Sequence, residues 1–255
     1  MTIRRCGTLL LSLLVATVSI SCGRSTSSTR AVGTTSAPVS SAPVVPSTST
    51  PWTPTPDDAS SAPSGVATPF GQDLPAGDVP PTSLVPDGTD PAGSWFAQTT
   101  TGDAIVVAWQ ARSADPFRTD RGVVVWRHTG EPALWRPVFA ATYPASRHPV
   151  LGITSTISEM TGDGSQDALV FAETGGTGAC GTYLVIDVST GTQAFRRSVC
   201  DTTIEPSGAP PGLVLTEAVY AHGDPHCCPS STRTTVLRRD ADGTWRTISM
   251  TTTPT

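Results

Sequence analysis

The sequence contains no lysine and no asparagine among its 255 residues, and all 16 of its basic residues are arginine. Without lysine the chain cannot form a Schiff base, carry the lysine of a P-loop, or build a nucleophile site of the S-x-x-K type. Without asparagine it has no acceptor for N-glycosylation. Because the codons of both residues are AT-rich, their absence is typical of a GC-rich bacterial genome.

Charged residues are also scarce, at 15% of the chain, and hydrophobic residues reach only 37%. A typical globular protein has roughly 25% charged and 45–50% hydrophobic residues. This shortage of both predicts a folded part joined to a long polar segment. The formal net charge of −5 argues against a nucleic-acid binder, which needs positive charge to neutralise phosphates. No apolar run reaches the roughly 18–20 residues of a membrane-spanning helix.

The first 22 residues have the pattern of a secretory signal peptide. Arg4 and Arg5 precede an apolar stretch from Leu9 to Ile20, and small residues precede Cys22. A cysteine directly after a small residue resembles a bacterial lipobox, in which the cysteine becomes the lipidated N-terminus of the mature chain. We therefore expect an exported protein that acyl chains on Cys22 anchor to the outer face of the cell membrane. The alternative is free secretion, because Ser-Ile-Ser also resembles an ordinary cleavage site.

Residues 23–92 form a Ser-, Thr-, Pro- and Ala-rich segment, in which 13 of the 24 prolines lie between Pro38 and Pro91. The segment has no regular apolar period and hence no face whose burial would offset the entropy of ordering it. We expect a disordered tether. A flexible chain of this length spans roughly 45 Å, which is enough to hold a domain away from a membrane.

Residues 93–253 predict an all-β extracytoplasmic domain. Short runs rich in Val, Ile, Thr and aromatic residues alternate with turns such as Ser189-Thr190-Gly191, and no stretch keeps a helical period. The close spacing of the strands favours an antiparallel sandwich or partial propeller-like sheets. The ten candidate strands are Asp103–Gln110, Gly122–His128, Ala133–Ala141, Val150–Ser158, Ala168–Ala172, Gly181–Val188, Thr192–Val199, Leu213–Tyr220, Thr232–Arg239 and Thr244–Met250.

Four cysteines lie in this predicted domain, Cys180, Cys200, Cys227 and Cys228. In an exported protein an even number predicts two disulfide bonds, and four cysteines allow three pairings. The adjacent pair either forms a strained vicinal disulfide or bonds separately to the other two cysteines.

The predicted hairpin between Cys180 and Cys200 favours one of these pairings. If the turn is centred on Thr190, Cys180 lies directly opposite Cys200, and Val185 lies opposite Phe195 in a sensible cross-strand pair. Opposed residues on neighbouring strands are within disulfide range. We favour Cys180–Cys200, with Cys227–Cys228 as the second bond.

The segment Glu159-Met-Thr-Gly-Asp-Gly-Ser-Gln-Asp167 resembles the calcium loop of FG-GAP and VCBS-like β repeats. Its candidate ligands are the side-chain oxygens of Glu159, Thr161, Asp163 and Asp167, and glycine at the sixth position permits the sharp turn of such loops. The interpretation that we favour is a tight loop between two strands, in which Asp163 and Asp167 cap backbone N–H groups, and calcium binding is the alternative. We therefore expect no cofactor, with calcium as the alternative.

A second segment gathers His222, His226, Cys227 and Cys228 within seven residues. Two imidazoles and two thiols can in principle bind zinc or copper, but the C-x₂-C spacing is missing and export favours oxidised thiols. We expect a disulfide-pinned loop. The sequence also lacks the catalytic patterns G-x-S-x-G and H-E-x-x-H, and we find no catalytic residues in it.

Together these features resemble the LppP/LprE-type lipoproteins of the actinobacterial cell envelope. The resemblance rests on the N-terminal cysteine, the Thr/Pro/Ser-rich tether, T-G-D-G-x-x-D before a strand, C-G-T-Y, and G-D-P-H-C-C-P-S. It implies an envelope location and a binding or structural role. We expect a lipid-anchored, non-enzymatic protein that presents a β domain to an envelope protein or glycan. The alternatives are an envelope hydrolase or glycan-active enzyme, and a calcium-dependent adhesion module.

Overall fold

The computed structural model describes residues 74–75, 81–113, 115, 117–130, 133–146 and 149–255. All of them belong to the unit formed by residues 51–255. The predicted signal peptide, Cys22 and most of the predicted tether lie outside the described residues. No helix among the described residues is long and apolar enough to cross a membrane.

The described part of the chain is almost entirely β-structure, with one short 3₁₀ turn at Pro81–Ser83. All strand pairs are antiparallel. The strands are β1 (Leu74–Pro75), β2 (Thr89–Thr99), β3 (Gly102–Ala111), β4 (Arg121–Thr129), β5 (Leu134–Tyr143), β6 (Gly152–Ser158), β7 (Asp167–Gly175), β8 (Cys180–Asp187), β9 (Thr192–Val199), β10 (Thr202–Pro206), β11 (Leu213–Val219), β12 (Ser231–Arg239) and β13 (Trp245–Pro254).

These strands form three sheets that follow one another along the chain. Sheet A contains β2 to β5 in sequence order, with β1 added beside β5. Sheet B contains β6 to β9, and sheet C contains β10 to β13, again in sequence order. Each sheet thus contains a four-stranded meander like a propeller blade, and sheet A has β1 as a fifth strand. The predicted all-β antiparallel fold is confirmed.

The sheets stack face to face with sheet B in the middle. Alternate side chains of β7 point to opposite faces, so Val170 packs in the core shared with sheet A and Leu169 packs in the core shared with sheet C. In the second core, the Trp245 ring of sheet C contacts the Phe195 ring of sheet B edge-on, with centroids 5.6 Å apart. The indole N–H of Trp245 donates to the Ala194 carbonyl at 2.7 Å.

A triad of charges also joins sheets B and C. The Glu217 carboxylate on β11 accepts hydrogen bonds from Arg197 of β9 at 2.7 Å and from Arg233 of β12 at 2.9 Å. Its side chain is only 13% exposed, so solvent screens these pairs less than it would screen a surface salt bridge. The triad holds the edge of sheet B against sheet C.

The outer face of sheet A is covered by the chain that precedes it, and the folded part therefore begins before the predicted boundary at residue 93. Leu84 and Val85 are buried against this face. The indole N–H of Trp126 donates to the Leu84 carbonyl at 2.9 Å. The sequence did not predict these contacts, because the segment is Pro-rich and only two of its apolar residues are needed to pack it on the sheet.

Candidate functional site

A cleft of about 430 Å³ opens on the face of sheet B that is turned towards sheet A. Its floor is formed by the ends of β7, β8 and β9, and its wall by the end of β5 and the connection to β6. The lining residues are Tyr143, Val150, Ala172, Thr174, Cys180, Gly181, Thr182, Arg196, Ser198, Val199 and Cys200. This volume lies within the range of ordinary small-molecule sites.

The Cys180–Cys200 disulfide closes one end of the cleft. It joins the start of β8 to the residue after β9, with Cα atoms 4.0 Å apart. Val185 is paired with Phe195 in the same hairpin. The predicted bond and the predicted cross-strand pair are both confirmed.

The opposite end of this hairpin differs slightly from the prediction. A register shift between Val185 and Ile186 leaves a four-residue turn, residues 188–191, instead of three. Gly191 is in the left-handed region at φ 72°, and a Cβ atom there would lie 2.3 Å from the Val138 carbonyl of β5. The turn therefore packs directly on sheet A. The β8–β9 hairpin, which forms part of the floor of the cleft, is thus fixed at both ends.

The wall of the cleft is held by hydrogen bonds to both polar groups of the peptide bond between Val150 and Leu151. The guanidinium of Arg121, which is itself buried, donates to the Val150 carbonyl. The next residue, Leu151, donates its N–H to the Glu173 carbonyl of β7 at 2.7 Å. These contacts tie the wall to both sheets, so the cleft is preformed.

The polar groups of the cleft come from three strands. The Thr182 and Ser198 hydroxyls, on paired residues of β8 and β9, are hydrogen-bonded with their oxygens 2.9 Å apart. Arg196 lies two residues before Ser198 and therefore on the same face of β9. It is exposed, and within the described part of the chain it has no ion-pair or hydrogen-bond partner. Tyr143 faces these groups from β5.

Burial raises the pKa of Tyr143 to about 12, and the positive charge of Arg196 acts in the opposite direction. The phenol is therefore neutral at physiological pH and can donate a hydrogen bond. The cleft combines one cation and several hydroxyls with Tyr143 and the Cys180–Cys200 disulfide. Such a lining suits the binding of a small polar molecule more than acid–base chemistry.

The predicted calcium loop connects β6 to β7, and its oxygens accept hydrogen bonds from the loop itself. The fully buried Asp167 carboxylate accepts the N–H groups of Met160 and Thr161 at 2.8 and 2.9 Å. Glu159 accepts the N–H of Gly162 at 2.6 Å, and Asp163 accepts the N–H of Ser165 at 2.7 Å. These are the contacts of a capping loop.

Across the described residues, no three His, Cys, Asp or Glu side chains form a group that could hold a metal ion. Calcium binding by Glu159, Thr161, Asp163 and Asp167 stays a prediction, and thermal melts in excess Ca²⁺ and in chelator test it. Stabilisation that disappears in Asp163→Ala would support the site, and melting temperatures that do not respond to Ca²⁺ would exclude it.

The second predicted segment forms an exposed loop between β11 and β12. Cys227 and Cys228 are free thiols with their sulfur atoms 3.0 Å apart, so the predicted vicinal disulfide is not formed in this structure. That separation is too long for an S–S bond, which is about 2.05 Å. Asp224 organises the loop by accepting the N–H groups of Ala221 at 2.7 Å and Ser230 at 3.1 Å.

Comparisons with known proteins found no matching family model, no matching curated protein and no matching solved structure. The functional interpretation of the chain therefore depends on its own residues.

Sequence reasoning missed Arg196, Thr182 and Ser198 as site residues. The hairpin register that predicts Cys180 opposite Cys200 also places Ser198 opposite Thr182, so a polar patch beside the disulfide was within reach. The contributions of Tyr143 and Val150 were not, because they depend on how sheet A packs against sheet B.

Proposed function

We propose that this chain is a lipid-anchored, non-enzymatic cell-envelope protein whose β domain binds a ligand in the cleft between sheets A and B. The observation that carries the proposal is the preformed cleft, which is closed at one end by the Cys180–Cys200 disulfide. A rigid concave site with a few polar groups is the usual form of a small-molecule binding site.

The disulfide also supports the envelope location. Such bonds form and persist in exported proteins and are rare in the cytosol, where thiols are kept reduced. This agrees with the resemblance to LppP/LprE-type actinobacterial lipoproteins and with the lipobox-like Cys22. A binding domain on a long polar segment suits display at a membrane surface.

The enzymatic alternative draws less support from the geometry. Asp167 is a carboxylate with a raised pKa, the kind of group that often marks an active site. Its side chain is fully buried at the start of β7, where it accepts a hydrogen bond from Met160, and it is not part of the cleft. The cleft presents Arg196 and hydroxyl groups, a combination that favours binding.

The anchor is tested by exchanging one cysteine. Cys22→Ala is expected to release the protein into the medium, since the cysteine that carries the acyl chains is gone. Fractionation of cells followed by immunoblotting measures this. Cys6→Ala is the matched control, because Cys6 lies in the predicted leader and should leave membrane attachment unchanged. Unchanged membrane association of Cys22→Ala would contradict the anchor.

The binding function is tested by photocrosslinking in whole cells. A photoreactive amino acid at position 174, at the exposed edge of the cleft, should give light-dependent adducts of defined mass. The same group at position 253, on the exposed strand β13, is the control and should not give them. Adducts at neither position, or the same adducts at both, would contradict a ligand in the cleft.

A further inference from the structure

We propose that the ligand of the cleft is a small organic anion, whose carboxylate or phosphate head is bound by the Arg196 guanidinium. This inference rests on the proposed binding function and adds the chemical class of the ligand. Three features of the cleft support it: its charge, its hydrogen-bond donors and its shape.

Arg196 is the one charged side chain that the described residues contribute to the lining of the cleft. Arg196 has no ion-pair partner among the described residues, and the lining contains no carboxylate. Other exposed arginines of the domain do form ion pairs, as in Arg112–Asp90 at 3.0 Å and Arg246–Asp242 at 3.4 Å. The planar guanidinium fork matches the two oxygens of a carboxylate or phosphate. An unpaired arginine at the edge of a cleft is therefore well suited to an anion.

Hydroxyl donors accompany the guanidinium. Thr182 and Ser198 are hydrogen-bonded to each other, and Ser198 lies on the same face of β9 as Arg196. Since each hydroxyl has one proton and two acceptor positions, one of the pair can turn its proton towards an anion while it accepts from the other. Tyr143 keeps its proton because burial raises its pKa, and it adds a neutral donor on the opposite wall.

The remaining surface of the cleft fits an apolar body. Tyr143 and the Cys180–Cys200 disulfide line the cleft next to the polar groups. A volume of about 430 Å³ exceeds what a bare inorganic ion fills and suits a molecule with an organic part. The hairpin is held at one end by the disulfide and at the other by the turn on sheet A, so the donors keep their positions before the ligand arrives.

The test uses the full chain, purified in a mild non-ionic detergent with its disulfide intact. Benzoate, phenyl phosphate and neutral benzyl alcohol are titrated separately, and amide shifts are followed by two-dimensional NMR. At least one of the two anions should give saturable shifts at Thr182 and Ser198, and benzyl alcohol should bind at least tenfold more weakly. The anion that binds more tightly distinguishes a carboxylate ligand from a phosphate ligand.

Two variants complete the experiment. Arg196→Gln should weaken binding of the preferred anion at least tenfold, with the rest of the spectrum unchanged. Arg118→Gln removes the same charge from a side chain that is 86% exposed and lies outside the cleft, and its affinity should equal that of the wild type. Equal affinity of Arg196→Gln and the wild type, or no saturable shift with either anion, would overturn the inference. Adducts at position 174 in whole cells would then still uphold the binding function, so the two failures are distinguishable.

Discussion

Replacing Cys180 and Cys200 together by serine should lower the melting temperature by roughly 6–12 °C. The bond has a sequence separation of 20 residues, and the loss of loop-closure entropy from the unfolded chain corresponds to about 3 kcal/mol. Each kcal/mol is worth roughly 2–4 °C in a domain of this size. Calorimetry or thermal circular dichroism of the double variant measures the shift.

The matched control for this variant replaces Cys227 and Cys228 by serine. Both are free and exposed, so the melting temperature should change by no more than roughly 2 °C. Ligand binding in the cleft is a second measurement on the first variant, because the Cys180–Cys200 bond holds the strands that form the floor of the cleft. A first variant as stable as the wild type would show that the hairpin needs no covalent restraint.

The second large effect concerns pH and Asp167. Burial raises the pKa of this carboxyl to about 6, although hydrogen bonds from Met160 and Thr161 act in the opposite direction. In the unfolded chain the same group titrates near pH ~4. The protonated form is therefore favoured by folding, so the contribution of Asp167 is fully present below about pH 4 and is lost as pH rises through about 6. The difference in free energy is about 3 kcal/mol.

Asp167→Asn should remove this dependence, since the amide cannot ionise and its oxygen can still accept both backbone N–H groups. The free energy of unfolding of the variant, relative to the wild type, should rise by about 3 kcal/mol between about pH 4 and pH 7. Urea titrations at several pH values measure it. A difference that does not change with pH would contradict the assignment.

Asp187 supplies a control of opposite sign. Burial opposes its ionisation, but hydrogen bonds from Ser189 and Thr190 outweigh burial and lower its pKa below the usual value. Its contribution is therefore present above about pH 4 and is lost at lower pH. For Asp187→Asn the difference from the wild type should stay flat between about pH 5 and pH 7 and change only in more acidic solution.

The fold was largely predictable because alternating apolar residues and turn signals are local properties. Of the observed strands, β1, β2 and β10 were not predicted. Pro91 and Gly93 interrupt β2, which accommodates them as an edge strand with a register shift, and such residues normally argue against a strand. The short strands β1 and β10 end in Pro75 and Pro206. All three exist because neighbouring strands offer them partners.

The candidate site was less predictable because it depends on contacts between sheets. The disulfide followed from the register within one hairpin. The cleft beside it needs Tyr143 and Val150 of the chain before sheet B to meet Arg196 of β9, and no local pattern encodes that packing. The oxygens of the 159–167 loop allowed two interpretations from the sequence alone. Their spacing resembles a calcium loop, but the structure uses Asp163 and Asp167 to cap backbone N–H groups.

The most direct test of the whole account is the intact mass of the protein isolated from its own cells after free thiols are blocked by alkylation. The account predicts a chain that begins at Cys22, carries acyl groups, comes from the membrane fraction and keeps Cys180 and Cys200 unalkylated. A full-length cytosolic chain that begins at Met1, with both of these cysteines alkylated, would contradict it.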